Sequence, residues 1–130
     1  MGTSYLIDTN VIIDYFDNRL PYSAIVWVEQ NMDNGACSIS IINRIEIFSY
    51  KTSEEEEGKL IDFTDRCDLI YLTDEIAART ASLRQGIKIK LPDAIIAATA
   101  LHYHLTLVTR NTHDFKNIPG LTVVNPHDIT

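Results

Sequence analysis

Five apolar runs in this chain are too short to be helices, and the first three are each followed by a stretch whose apolar residues recur at helical spacing. The runs are Tyr5-Leu6-Ile7 closing on Asp8, Ala36 to Ile39, Asp68 to Leu72, Leu105 to Thr109, and Leu121 to Val124. Between them, Asn10 to Phe16 reads as a helix fed directly by the first strand. Pro21 opens a second helix through Trp27 to about Met32, closed by Asn34-Gly35, and Ser40 caps a third that carries Ile42, Ile45, Glu46 and Phe48. A fourth helix starts at the acidic run Glu54 to Glu57, a solvated first turn favoured by the helix dipole, and has Leu60, Ile61 and Phe63 on its apolar side. Thr73 begins a fifth, stopped at Gly86, and Pro92 sits in the first turn of a sixth, whose small residues from Ala94 to Ala100 suit close packing on a sheet. Short apolar strands alternating with helices specify βαβ units. The fold class expected is α/β: a three-layer α/β/α sandwich around a parallel, roughly five-stranded sheet.

At 130 residues, 45% hydrophobic and 22% charged, with no repeat or linker, the chain is expected to form one domain over residues 1–130. Polar positions such as Asp8, Asp14 and Asp93 interrupt every apolar run before membrane-spanning length. The first residues carry neither a basic leader nor a myristoylation pattern, so the expected location is the cytoplasm, with no membrane partner. Cys37 and Cys67 stand thirty positions apart without a CxxC pair and read as buried free thiols.

The net charge of −7 is unevenly placed. Arg79, Arg84, Lys88, Lys90, Arg110 and Lys116 share their span with only Asp93 and Asp114, giving it +4 and leaving −11 elsewhere. That segment is the expected rim of any groove for a polyanion.

In a doubly wound sheet, ligands bind at the carboxyl ends of the strands. Asp8 closes the first strand there, and Asp114 lies on the expected loop beyond Thr109. Glu46, flanked by Ile45, Ile47 and Phe48, and Asp93, opening the smallest-residue helix, interrupt apolar helix faces. Asp8 and Asp93 also serve as helix-start acids and Asp114 as a turn acid, but Glu46 has no comparable structural use. An acid on an apolar face needs a compensating cation or donor, and four of them point to a metal site. Oxygen-only ligation suits Mg²⁺ or Mn²⁺, and the reaction class served by such a site is phosphodiester hydrolysis.

The residues Leu6-Ile7-Asp8-Thr9-Asn10-Val11-Ile12, Ile45-Glu46, Leu91-Pro92-Asp93-Ala94-Ile95-Ile96 and Leu107-Val108-Thr109-Arg110-Asn111-Thr112-His113-Asp114-Phe115 together resemble a PIN domain, with closest likeness to the VapC-type toxin ribonucleases. The likeness runs from Tyr5 to about Val124. It implies a divalent-metal-dependent endoribonuclease whose catalytic and metal-binding residues are Asp8, Glu46, Asp93 and Asp114. Thr109, Asn10 and Asn111 would support the site, Thr109 by holding its geometry and Asn111 at a position that is Asp in some relatives. One tightly held ion is expected, with a second recruited by the phosphate. The resemblance also implies an RNA substrate, a cognate VapB-like antitoxin whose tail silences the groove, and a homodimer.

Arg110 and Lys116 flank the acidic loop as candidate RNA phosphate contacts. His113 is a weaker candidate for substrate contact, His102 and His104 are expected to be satisfied or solvated, and Tyr5, Tyr15, Phe16 and Trp27 are read as core. Two other functions compete. A catalytically silent PIN-like module that binds RNA or protein has no need of four clustered acids, and a phosphoacceptor receiver domain has no use for Glu46 and lacks a Lys where Thr109-Arg110 stands.

Overall fold

The computed structural model describes residues 2–130, and in it the first apolar run forms β1 (Tyr5–Ile7). There follow α1 (Thr9–Phe16), α2 (Tyr22–Asp33), β2 (Cys37–Ser40), α3 (Ile41–Phe48), α4 (Glu54–Asp65) and β3 (Asp68–Ile70). The second half contributes α5 (Asp74–Gly86), α6 (Leu91–His102), β4 (Thr106–Val108), α7 (Thr112–Phe115), β5 (Val123–Val124) and a 3-10 turn at Pro126–Asp128. All strand pairs are parallel, in the order β3-β2-β1-β4-β5. β1 is central: Leu6 lies opposite Ser38 on one side and Leu107 on the other. The chain winds outward from β1 to β3, then returns across β1 to β4 and β5, so the winding reverses beside β1 and opens a crevice at its carboxyl end.

Side-chain alternation along the strands feeds two cores. Ile7, Ile39 and Val108 join Val11, Ile12, Val28, Ile47 and Phe63 from α1 to α4, whereas Leu6 and Leu107 join Ile96, Ala97, Ala100, Phe115 and Ile118 on the side of α6 and α7. The aromatic residues follow the first pattern. Tyr5 meets Trp27 edge-on at 4.8 Å, and Tyr15 and Phe16 pack with Phe63.

The expected sandwich is therefore the observed one, with shifts at element ends. The third strand stops at Ile70, leaving Tyr71 and Leu72 exposed, and the last strand is only Val123–Val124. Asp114 does not lie on a loop: it belongs to the one-turn helix α7, which anchors Phe115 in the core. Ile45 and Phe48 are exposed, so the face of α3 carrying Glu46 is only partly apolar. Among the described residues, no helix is long and apolar enough to cross a membrane.

Ala94, Ala97, Ala98 and Ala100 are fully buried where α6 lies against the sheet and α5. Their small side chains set that spacing, and a larger one must displace the helix or adopt a poor rotamer. Ala97→Leu is expected to destabilise the protein by about 1–3 kcal/mol in urea unfolding. An unchanged midpoint would show that the spacing is set elsewhere.

Candidate metal centre

The crevice beside β1 is organised around one carboxylate. Asp8 is the N-cap of α1, in extended conformation at φ −75°, ψ 153°, and is 6% exposed. Its Oδ1 accepts from the Thr9 amide at 2.8 Å and from Asn43 Nδ2 at 3.3 Å. Its Oδ2 accepts from Thr109 Oγ1 at 2.8 Å and from Asn10 Nδ2 at 3.2 Å. These four contacts fill about as many lone-pair positions as a carboxylate has. The Asp8 amide also donates to the Val108 carbonyl at 2.9 Å, fastening the end of β1 to β4 just before Thr109.

Asn43 is the donor that sequence reasoning missed. Ser40 caps α3 in a reciprocal box with Asn43: the Ser40 hydroxyl accepts from the Asn43 amide, and Asn43 Oδ1 accepts from the Ser40 amide at 3.0 Å. With its oxygen held there, the fully buried Asn43 turns Nδ2 toward Asp8 and toward Thr9 Oγ1 at 3.2 Å. The legible signal is a Ser with an Asn three residues on. Thr9 Oγ1 in turn donates to Glu46 Oε1 at 2.9 Å, which ties the half-buried Glu46 to the network around Asp8.

Asp93, half-buried at the start of α6, and the exposed Asp114 of α7 line one cleft of about 550 Å³ with His113, Lys88, Lys90 and Lys116. Burial holds the Asp93 carboxyl above its usual range, and the negative charges of Asp8 and Asp114 push the same way, against Lys90. Asp8 is also raised, first by burial and then by Glu46, against the hydrogen bonds from Thr109, Thr9 and Asn43. The four sequence-predicted acids are thus linked in series, Glu46 acting on Asp8, and Asp8 and Asp114 on Asp93. They are not in ligating contact: among the described residues, no three of His, Cys, Asp and Glu are drawn together closely enough to hold an ion.

The donor set is nonetheless that of a hard cation. Every donor is a carboxylate, and two are raised, first by burial and then by neighbouring negative charge, both of which a dication would offset. Mg²⁺ keeps several waters and takes only one or two carboxylates directly, so separated acids remain compatible with it. Because Asp8 is already saturated, an ion at its carboxylate competes with the two longest contacts, those of Asn43 and Asn10.

The basic segment divides. Arg84, Lys88, Lys90 and Lys116 line the acidic cleft, but Arg79 lines a separate cavity with Thr106 at the opposite ends of the strands. Arg110, expected at the groove as a phosphate contact, turns its guanidinium to Asp14 of α1, with Nη1 at 2.8 and 3.0 Å from the two carboxylate oxygens. Asn111 is exposed, and its backbone amide donates to Thr109 Oγ1 at 3.1 Å. His113 lines the cleft and His104 is solvated, whereas His102 is half-buried with its Nδ1 lacking a partner among the described residues, contrary to expectation. Cys37 and Cys67 are free and buried. Burial pushes their thiols up to about 11 and about 12, the second helped by Cys37 itself, which keeps both protonated and inert at neutral pH.

Residues 5–121 match the model of the PIN domain. The chain belongs to the PIN-domain family. It is 32% identical to Ribonuclease VapC2 of Rickettsia felis, an alignment covering 93% of this chain and 96% of that protein. Among solved structures, a toxin–antitoxin complex from Klebsiella pneumoniae superposes with a TM-score of 0.76 at 37% identity, covering 97% of this PIN-domain chain and all of the other. VapBC2 from Rickettsia felis, bound to a DNA fragment from its promoter, gives 0.80 at 28% identity, with 95% and 98% covered.

The two raised acids predict different responses to neutralisation. A carboxyl raised in the folded state binds its proton more tightly there than in the unfolded chain, so stability falls as pH rises from the ordinary range near 3.8 through the raised value. Asp93→Asn in EDTA is therefore expected to be more stable than wild type in urea at pH 7, the gap closing as pH falls through that window. Asp8→Asn is expected to lose stability, because an amide replaces one of two acceptor oxygens and faces existing donors. Equal stabilisation by both variants would contradict the hydrogen-bond network described for Asp8.

Proposed function

We infer that this PIN-domain protein is the toxin ribonuclease of a toxin–antitoxin pair, hydrolysing RNA phosphodiester bonds in the cytoplasm with Mg²⁺ or Mn²⁺ held by Asp8, Glu46, Asp93 and Asp114. The observation that carries this reading is Asp93: a half-buried carboxyl raised first by burial and then by the charges of Asp8 and Asp114, in a cleft that lysines also line. Its relatives are named as ribonucleases and toxin–antitoxin complexes, which supports the same reading.

When bound, the divalent cation supplies an activated water and neutralises charge building on the phosphate. Thr109, Asn10 and Asn43 hold the Asp8 carboxylate in one orientation, so its lone pairs are directed before any ligand arrives. Thr9 does the same for Glu46. Lys90 and Lys116 attract the phosphate chain to a cleft whose acids alone would repel it. The acids that attract a cation would also accept an Arg from the tail of a VapB-like antitoxin, silencing the site by a charge-assisted pair. A homodimer of the kind usual in the family completes the assembly proposed.

The silent-module reading leaves the crowding of Asp93 without purpose. The receiver reading is disfavoured by Asp8, which is almost wholly buried with both oxygens engaged and so is a poor phosphoacceptor.

RNA cleavage is expected with Mn²⁺ or Mg²⁺, to vanish in EDTA, and to be abolished by Asp93→Asn in a protein that still melts cooperatively. Metal-independent cleavage by that variant would refute the assignment. Binding to single-stranded RNA should weaken steeply with salt, each neutralised phosphate contributing about −0.7 to the logarithmic slope. Lys90→Ala with Lys116→Ala should flatten that slope by about 0.7 for each phosphate no longer neutralised, as read by titration at several salt concentrations. An unchanged slope would place the RNA path elsewhere.

A further inference from the structure

Asp14 has no part in the reading above, yet it is the most completely buried acid whose surroundings are charged. It is 1% exposed, with Arg110 Nη1 on both oxygens and His127 Nε2 2.9 Å from Oδ2. A carboxylate only accepts, so His127 donates from Nε2. The three residues come from α1, from the segment after β4, and from the C-terminal 3-10 turn, which α2 holds through Ser23 Oγ donating to the Ile129 carbonyl at 2.7 Å.

Asp14 lies four residues after Asn10, on the same face of α1. Both grip Arg110, at opposite ends. Asp14 takes the guanidinium, and Asn10 Oδ1 accepts from the Arg110 backbone amide at 3.0 Å. That second bond holds the Asn10 amide from its oxygen side, as Asp8 and Thr109 hold it from its nitrogen side. With Oδ1 facing the Arg110 N–H, Nδ2 faces Asp8 Oδ2 and Thr109 Oγ1, at 3.2 Å each. In the reversed orientation Oδ1 would oppose the Asp8 carboxylate, a repulsive contact between two acceptors.

We propose that Asp14 is a positioning residue of the site: by anchoring the Arg110 side chain it fixes the Arg110 backbone amide, which orients Asn10 and through it the Asp8 carboxylate, with His127 completing the anchor from the C-terminal end. The importance of Asp8 rests on the functional reading above. The grip itself does not.

Groups that orient a site's ligands typically change metal affinity or activity by about 10–100-fold when removed. In the full-length protein, Asp14→Ala and Arg110→Ala are each expected to lower kcat for RNA and Mn²⁺ affinity by a factor in that range, leaving KM within about twofold. The Asn10 side-chain amide signal in a ¹H–¹⁵N spectrum should move and lose its protection from exchange. The salt slope of RNA binding should stay at its wild-type value in both, since Asp14 is buried and the Arg110 guanidinium is engaged by Asp14 rather than by phosphate.

A lower Tm with wild-type Mn²⁺ affinity and an unmoved Asn10 signal would overturn the proposal and leave Asp14 a structural ion pair. A flattened salt slope in Arg110→Ala, with Asp14→Ala unchanged in kcat and Mn²⁺ affinity, would overturn it in favour of Arg110 as a phosphate contact. If Asp14→Ala does not fold, Arg110→Ala decides by the same readings. If the wild-type protein neither cleaves RNA nor binds Mn²⁺, the ribonuclease reading fails, and the Asn10 signal in the two variants still decides whether the grip exists.

Discussion

Burying a carboxylate at the carboxyl end of the central strand is the constraint on which the rest of this structure depends. Asp8 is nearly inaccessible, and an ionised group there is tolerable only if donors replace the water it has lost. They come from three separate parts of the chain: the first turn of α1, Asn43 at the start of α3, and Thr109 just past β4. Strand order makes this possible. With β1 flanked by β2 and β4, the segments leaving both neighbours emerge beside the end of β1, and parallel pairing sends them in the same direction. An antiparallel neighbour would carry the chain away from that edge at the same height.

The same edge explains how an acidic protein can approach a polyanion. Most of the chain's negative charge lies outside the cleft, as in the solvated first turn of α4. At the cleft, burial and neighbouring acids together raise Asp8 and Asp93, while Arg84, Lys88, Lys90 and Lys116 line the wall between α5 and α7. Net charge governs the distant field, which salt screens within about 10 Å at moderate ionic strength, and the local arrangement governs contact.

The layers were legible because periodicity differs between strands and helices, and because Ser40, Thr73 and Pro92 mark helix starts that the structure keeps. Helix α7 was not, since four residues are too few to show a period, and Asp114 was therefore expected on a loop. Asp8, Glu46, Asp93 and Asp114 stood out as acids among apolar neighbours, but the argument for Glu46 needed Ile45 and Phe48 to be inside, and both face solvent. Asn43 was passed over for a different reason: its spacing from Ser40 marks a cap, but a neutral amide on a helix gives no sign of burial, and its role depends on Asp8, which is distant in sequence. The ion pair of Arg110 gives no local sign in the sequence. A cation beside an acidic loop suggests an anion in solution, and nothing local tells that the anion is Asp14, nearly a hundred residues earlier.

That pairing also bears on why a charge is buried at position 14 at all. Arg110 and His127 compensate the Asp14 carboxylate, but desolvating such a cluster generally gives no more stability than an apolar side chain of similar volume would. Apolar side chains in place of the whole cluster would need no partners. What they could not do is set direction. A guanidinium bound by a fixed carboxylate has its place and orientation specified to within hydrogen-bond tolerances, and the backbone that carries it inherits that precision. Here the backbone in question donates to Asn10, one helical turn before Asp14 and two residues after Asp8. The charge is best understood as a means of transmitting position from the interior of α1 to its first turn, at the point where the carboxylate of the site begins the helix.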